Sequence, residues 1–169
     1  TALATTDPQA LREAVRQTAS TSSGQPITAE EAVAYASKAL QLLRDVGRSG
    51  STVYDLSESE PTVIAAIDDP RHKIVVGAAQ VLELLDSKAA QLALAGAAVD
   101  DARPEDVRVA LLNSLAESAK QFGNKLGQIE LDDLIALVRS SDGDMALAAA
   151  RAQGALTLPT SSVVDMIVE

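Results

Sequence analysis

The chain has 169 residues, 47% hydrophobic and 22% charged, a make-up that suits one folded domain or a short array and excludes a disordered segment. Its 14 Lys+Arg against 24 Asp+Glu give a net charge of −10, which disfavours nucleic acid and anionic membranes as partners. Cysteine is absent, so disulfide scaffolds, thiolate metal sites and cysteine nucleophiles are excluded together. Only Tyr35, Tyr54 and Phe122 are aromatic, so a core must be packed from Ala, Leu, Val and Ile, a composition that favours closely packed helices.

In chain order, Asp7 and Pro8 open an amphipathic helix over residues 7–20, with Ala10, Leu11, Ala14, Val15 and Ala19 at helical spacing. A polar loop from Ser20 to Pro26 connects it to a second helix. There Thr28 and Glu31 form a capping box, Ala32, Ala36, Ala39, Leu40 and Leu43 share a face, and Gly47 is expected to end the helix. Residues 48–57 read as an irregular linker, with room for a short helical turn around Tyr54 and Leu56. Pro61 opens a short helix through Ile67, stopped by Asp68, Asp69 and Pro70, and a longer helix is expected from Pro70 to about Leu85. An alanine-rich helix then reaches Val99, and after a turn at Asp100 to Arg103 a helix opened by Pro104 runs to Phe122, closed by Gly123 and Asn124. Helices from about Glu130 to Arg139 and from Asp144 to Leu156 follow, and Thr160 to Glu169 reads as the start of a terminal helix that ends on apolar residues. No segment alternates with period two over a strand's length, so the chain is expected to be all-α.

The longer helices repeat. Ile74 to Leu85 aligns with Val107 to Ser118 at an offset of 33 residues, and that segment with Met145 to Leu156 at 38. Ala32 to Leu43 gives a weaker copy 42 residues before the first. Periods of this size point to a helical solenoid, in which stacked helix pairs share a core that one pair cannot close alone. Gly77, Ala78, Ala110 and Ala149 are the small residues expected to let helices approach closely.

In Asp106-Val107-Arg108 and in the run from Ala148 to Leu156, the chain resembles the HEAT-repeat family of armadillo-like proteins. The resemblance covers residues 58–158, in units 58–86, 87–123 and 128–158, and more loosely a divergent pair over 7–47. It implies a single domain over 1–169, a right-handed α-α superhelix of about four helix pairs plus the terminal helix at 160–169. In that family an Asp in the turn and an Arg early in the second helix tend to form a ladder between repeats. Only Arg108 keeps the Arg here, because Val75 and Ala146 occupy the matching positions.

Residues able to carry chemistry are few. His72, the one histidine, lies near Asp68 and Asp69, but a lone imidazole with turn carboxylates is a poor ligand set and reads as a solvated first-turn residue. Asp142-Gly143-Asp144 begins like a calcium loop without its further ligands, and reads as helix capping. Gly47 to Thr52 has the glycines and hydroxyls of a phosphate loop but neither its GK[ST] ending nor a preceding strand. No G-x-S-x-G elbow accompanies the serines, and Asp100-Asp101 and Asp132-Asp133 read as turn and cap residues. No catalytic residue, metal site or cofactor is therefore expected.

The positive residues are more informative. Arg71, Lys73, Arg103 and Arg108 gather near the starts of consecutive second helices, where stacking would place them on one edge. With Gln80, Asn113 and Arg151 they make a candidate strip for a protein or peptide partner, weighed against a solvated edge with local pairs to Asp68, Asp69, Asp101 and Glu105. The expected function is a non-enzymatic interaction module or scaffold. A nucleic-acid-binding HEAT protein, in the manner of alkylpurine DNA glycosylases, is the alternative that the acidic charge and missing Trp oppose. A lyase-like HEAT enzyme or accessory, in the manner of the phycobilin-lyase-like group, is a third, resting on resemblance alone. The apolar end of the 160–169 helix suggests self-association or a missing neighbour, and no apolar run is long enough for membrane insertion. Because the sequence begins at Thr1, a processed protein or excised domain is expected. A cytoplasmic location is slightly favoured, with an extracytoplasmic one following if a leader was removed.

Overall fold

The computed structural model describes residues 28–49 and 55–157. The helix expected over 7–20, its following loop, Tyr54 and the terminal helix over 160–169 lie outside those residues. The chain divides into two compact units, 1–34 and 35–169. In the first, the described residues are the cap and opening turns of helix α1, Ala29–Arg48. Thr28 donates from its amide and its hydroxyl to Glu31 Oε2, both at 2.9 Å, and the Glu31 N–H donates to Thr28 Oγ1 at 3.2 Å. This is the capping box the sequence implies, and the Thr28 donors hold the Glu31 carboxyl below its usual pKa.

In the second unit the described residues are helical with no strand: the rest of α1, then α2 (Glu60–Ala65), α3 (His72–Leu82), α4 (Lys88–Val99), α5 (Glu105–Phe122), α6 (Gln128–Ser140) and α7 (Gly143–Thr157). Short 3-10 turns occupy Ser57–Ser59 and Ala66–Asp68. The boundaries follow local chemistry. Ser87 caps α4 by accepting from the amides of Ala89 and Ala90 at 3.1 and 3.3 Å, and its own hydroxyl donates to Glu60. Gly123 ends α5 at a φ of 75°, a left-handed conformation that Gly adopts without strain. The amide of Gly127 donates to Glu130 Oε2 at 2.9 Å, so α6 starts two residues before Glu130, which serves as its third-position carboxylate.

Two expected ends move. Helix α3 begins at His72 because Arg71 is extended, at φ −97° and ψ 111°, and it stops at Leu82 where residues 83–85 form a turn. Helix α1 continues through Gly47 to Arg48. Gly47 is there for proximity: a Cβ at that position would sit 2.8 Å from Leu84 Cδ1 and 2.9 Å from Leu56 Cδ1. Gly77 plays the same part for Leu40, whose Cδ1 would be 3.2 Å from an added Cβ.

Helices after α1 come in pairs, α2 with α3, α4 with α5 and α6 with α7, and the partners in each pair touch. Neighbouring pairs touch through both members: α2 meets α4 and α4 meets α6, while α3 meets α5 and α5 makes its most extensive contact with α7. Beyond α3 lies α1, with Leu40 near Gly77, Arg44 at Gln80 and Gly47 near Leu84, so the two run in the same direction. Helix α5 is the centre, burying Val107, Leu111, Leu112, Leu115, Ala116 and Ala119. Tyr35 is exposed and Phe122 half-buried, so among the described residues the core is left to aliphatic side chains.

One buried polar residue ties the pairs together. Gln91, with no exposed surface, donates from Nε2 to Ser118 Oγ at 3.2 Å and Gly123 O at 2.9 Å, and accepts from the Lys125 amide at 2.9 Å. The amide thereby satisfies both the end of α5 and the loop after it. Lys125 adds an ion pair to Asp86 at 2.5 Å.

Two glycine substitutions separate packing from propensity. Gly96 is exposed in mid-helix with nothing within 4 Å of an added Cβ, so Gly96→Ala is expected to raise stability by about 0.5–1 kcal/mol in urea melts. Gly47→Val is expected to lower it by about 1–3 kcal/mol, because Leu84 and Leu56 must move aside.

Candidate functional site

The second helices of the pairs, with α1, place one row of polar side chains across the second unit. Arg44 Nη1 donates to Gln80 Oε1 at 2.8 Å across 36 positions, and Arg151 Nη1 donates to Asn113 Oδ1 at 3.0 Å across 38. Gln80 and Asn113 are themselves 33 residues apart and line the same cleft between α3 and α5. The offsets of 33 and 38 read from the sequence are therefore the spacings at which α3, α5 and α7 lie side by side. The third differs: α1 meets α3 36 residues away rather than 42, since Gly47 and Leu40, not the alanines, set its height against Leu84 and Gly77.

The α3–α5 cleft has a volume of about 290 Å³, with Val76, Ala110 and Ser114 beneath and Arg48, Glu83 and Glu117 towards one end. It adjoins a second cleft of about 470 Å³ that adds Leu84, Lys120 and Gln121. Charges here alternate. Arg48 pairs with the largely buried Glu83 at 3.1 Å, and Lys120 with the exposed Glu117 at 2.6 Å.

The other members of the sequence-derived strip are placed differently. Arg71 stays beside its own turn, donating from Nε to Asp69 Oδ1 at 2.7 Å and from Nη2 to Asp69 Oδ2 at 2.5 Å. Arg103 is mostly buried and bridges two turns: Nη1 donates to Ile67 O at 2.6 Å, Nη2 to Asp68 Oδ1 at 2.9 Å and Nε to Asp100 Oδ2 at 3.2 Å. Arg108 Nε donates to Ala98 O at 2.9 Å, meeting a free carbonyl at the end of α4. Lys73 is exposed at the start of α3. The row thus brings together Gln80, Asn113 and Arg151, while Arg71 pairs with Asp69 at the surface and Arg103 and Arg108 donate to backbone carbonyls within the fold. The link between successive turns is made by Arg103, in the turn itself, rather than by an Arg early in the second helix.

Arg44, Arg48, Glu83 and Glu117 were not singled out from the sequence. The signal that could find Arg44 is the 36-residue step from Gln80, hidden by the 42-residue alignment. His72 is exposed at the first residue of α3. Asp132 accepts from Gln128 Nε2 at 2.8 Å, and Asp142 offers its carbonyl to the Ala146 amide at 3.2 Å. Of the glycine- and hydroxyl-rich segment, Gly47 to Ser49 close α1 and the remainder lies outside the described residues. Among the described residues, no group of three or more His, Asp or Glu side chains is placed to hold a metal ion, and no helix is long and apolar enough to cross a membrane. Comparisons with protein-family models, curated proteins and solved structures return no match.

Arg103→Ala is expected to destabilise the fold by about 1.5–3 kcal/mol, with hydrogen exchange accelerating at residues 66–69 and 100–103, because Ile67 O loses a charged donor. The Arg71 guanidinium, bonded to both oxygens of Asp69, draws that carboxyl's pKa down to about 2. In an unfolded chain the group titrates near about 3.9, so its stabilisation is complete above that value and disappears as pH falls through about 2. Asp69→Asn should accordingly flatten the acid limb of the stability curve below about pH 4, measured by thermal melts across pH.

Proposed function

We propose that this chain is a non-enzymatic protein-interaction module, a HEAT-like array of stacked helix pairs that offers the face of α1, α3, α5 and α7 to a partner protein. The observation that carries the reading is the pair of cross-helix bonds, Arg44 to Gln80 and Arg151 to Asn113, at equivalent heights on neighbouring helices. Such a row is polar and crosses neighbouring helices, as an extended recognition surface requires. Support for the array comes from neighbouring pairs touching through both their first and second helices. The net charge of −10 favours a protein over a nucleic acid as occupant.

Affinity capture from native extract tests the reading. The wild type is expected to retain a protein that Gln80→Lys/Asn113→Lys loses, with the melting temperature of the variant unchanged. Retention of nucleic acid with steep salt dependence would overturn it, and a partner held equally by the variant would move binding to another face.

A further inference from the structure

The outer side of α1 carries an apolar stripe. Tyr35 and Leu42 are 62% and 57% exposed, Ala39 is exposed and Val46 half-buried. Their spacing of four, three and four residues puts them on one face, at the period of a two-helix seam. That face is turned from α3. Leu40 and Arg44, which meet α3 at Gly77 and Gln80, lie two positions on either side of Leu42 and hence about 200° around the helix from it. Of the four large apolar side chains exposed among the described residues, two therefore stand on this one stripe, a heptad apart, and form a patch rather than scattered surface.

The charges beside the stripe say what fits it. Among residues 35–48, Arg44 and Arg48 reach Gln80 and Glu83, which leaves Lys38 and Asp45 as the charges of the outer flank. Both are exposed, and lying seven residues apart they share that flank with opposite sign. Arg44 Nη2 is 3.5 Å from Asp45, a long pair that leaves the carboxylate more than half exposed. Now a second α1 can be laid antiparallel on the first about an axis between residues 40 and 41. Tyr35 then faces Val46 of the second copy and Ala39 faces its Leu42, so each layer joins a large side chain to a smaller one, and the two-fold axis repeats both layers. In the same register Lys38 comes beside Asp45 of the second copy, about 3 Å apart along the helix axis, and the reverse pair forms as well. Apolar layers and ion pairs thus agree on one register. A parallel copy would set Lys38 against Leu43 and leave it unpaired.

We propose that α1 is a self-association surface, on which two copies of this chain pair antiparallel through Tyr35, Ala39, Leu42 and Val46, with Lys38 of each bonded to Asp45 of the other. The stripe is distinct from the row of Gln80 and Asn113, so it holds or fails independently of the interaction-module reading. Four apolar side chains per copy make a small interface, and the dimer is accordingly concentration-dependent.

Sedimentation velocity on the full chain tests this. The wild type is expected to move from monomer towards dimer between about 1 and about 500 µM, the range open to a small interface. Leu42→Glu should hold the chain monomeric throughout. Lys38→Asp or Asp45→Lys alone should weaken the dimer about tenfold, since each replaces two opposite-charge pairs with two like-charge ones, and Lys38→Asp/Asp45→Lys together should restore it. Because the chain has no cysteine, oxidising a mixture of Lys38→Cys and Asp45→Cys should cross-link the two variants to each other in preference to either with itself. All these positions are exposed, and circular dichroism melts at low concentration verify that each variant is folded. A wild type that stays monomeric, a dimer that survives Leu42→Glu, or a double charge reversal as weak as the single ones would overturn the proposal. If the wild type is monomeric and Leu42→Glu lowers its melting temperature, the stripe is covered by the chain's own residues 1–27. If it is monomeric and Leu42→Glu loses a protein captured from native extract, the occupant is that partner; either result refutes the second copy.

Discussion

The rest of the second unit depends on how closely its parallel helices approach one another. Leu40 rests over Gly77, and Leu84 and Leu56 close over Gly47, contacts that a single added methyl would crowd. In α7, Ala148, Ala149 and Ala152 are buried, and α7 makes its most extensive contact with α5. With few aromatic rings to fill space, dispersion contacts accumulate only if backbones come near enough for short side chains to touch. Small residues at the seams make that approach, and the leucines of α5 fill what remains. The same approach brings Arg44 within reach of Gln80 and Arg151 within reach of Asn113.

Polar side chains then fix the pairs at their ends. Arg103 joins the turn after α2 to the turn after α4, and Gln91 with Lys125 joins the loops that follow α3 and α5. Arg103 and Gln91 meet backbone groups that secondary structure leaves unpaired, so their bonds serve the chain twice: they satisfy a desolvated carbonyl or amide and they set the relation of one pair to the next. Charge on this protein is thereby divided between turn-to-turn linkage, made by Arg103, and the row across the face, which lies further along the helices.

That division explains which parts of the candidate site were legible in advance. A cluster of Arg and Lys near the starts of successive helices can be read from the sequence, but its members are placed differently: Arg71 on its own turn, Arg103 across two turns and Arg108 on the end of α4. Whether a guanidinium faces solvent or a carbonyl is decided by what lies within a few ångströms of it. For Arg103 that neighbour is Ile67 O, 36 positions away, and for Arg108 it is Ala98 O across a turn. Gln80, Asn113 and Arg151 could be named because the 33- and 38-residue periods place them in register. Arg44 and Arg48 escaped because α1 is aligned by two glycine contacts that no residue pattern within α1 reveals.

Periodicity and capping chemistry determined, from the sequence by itself, that the described residues are helical without strands, where the helices between residues 60 and 157 lie to within a few residues, and that they recur at 33 and 38. These are local properties: a Ser before an alanine run, an apolar residue every third or fourth position, a Gly at a left-handed turn. Tertiary structure alone decided that Gly47 lies inside a helix rather than ending one, that Gln91 is a buried linchpin, and which arginines are consumed by the fold. Each depends on the distance between atoms far apart in the chain, and helix propensity carries no record of that distance.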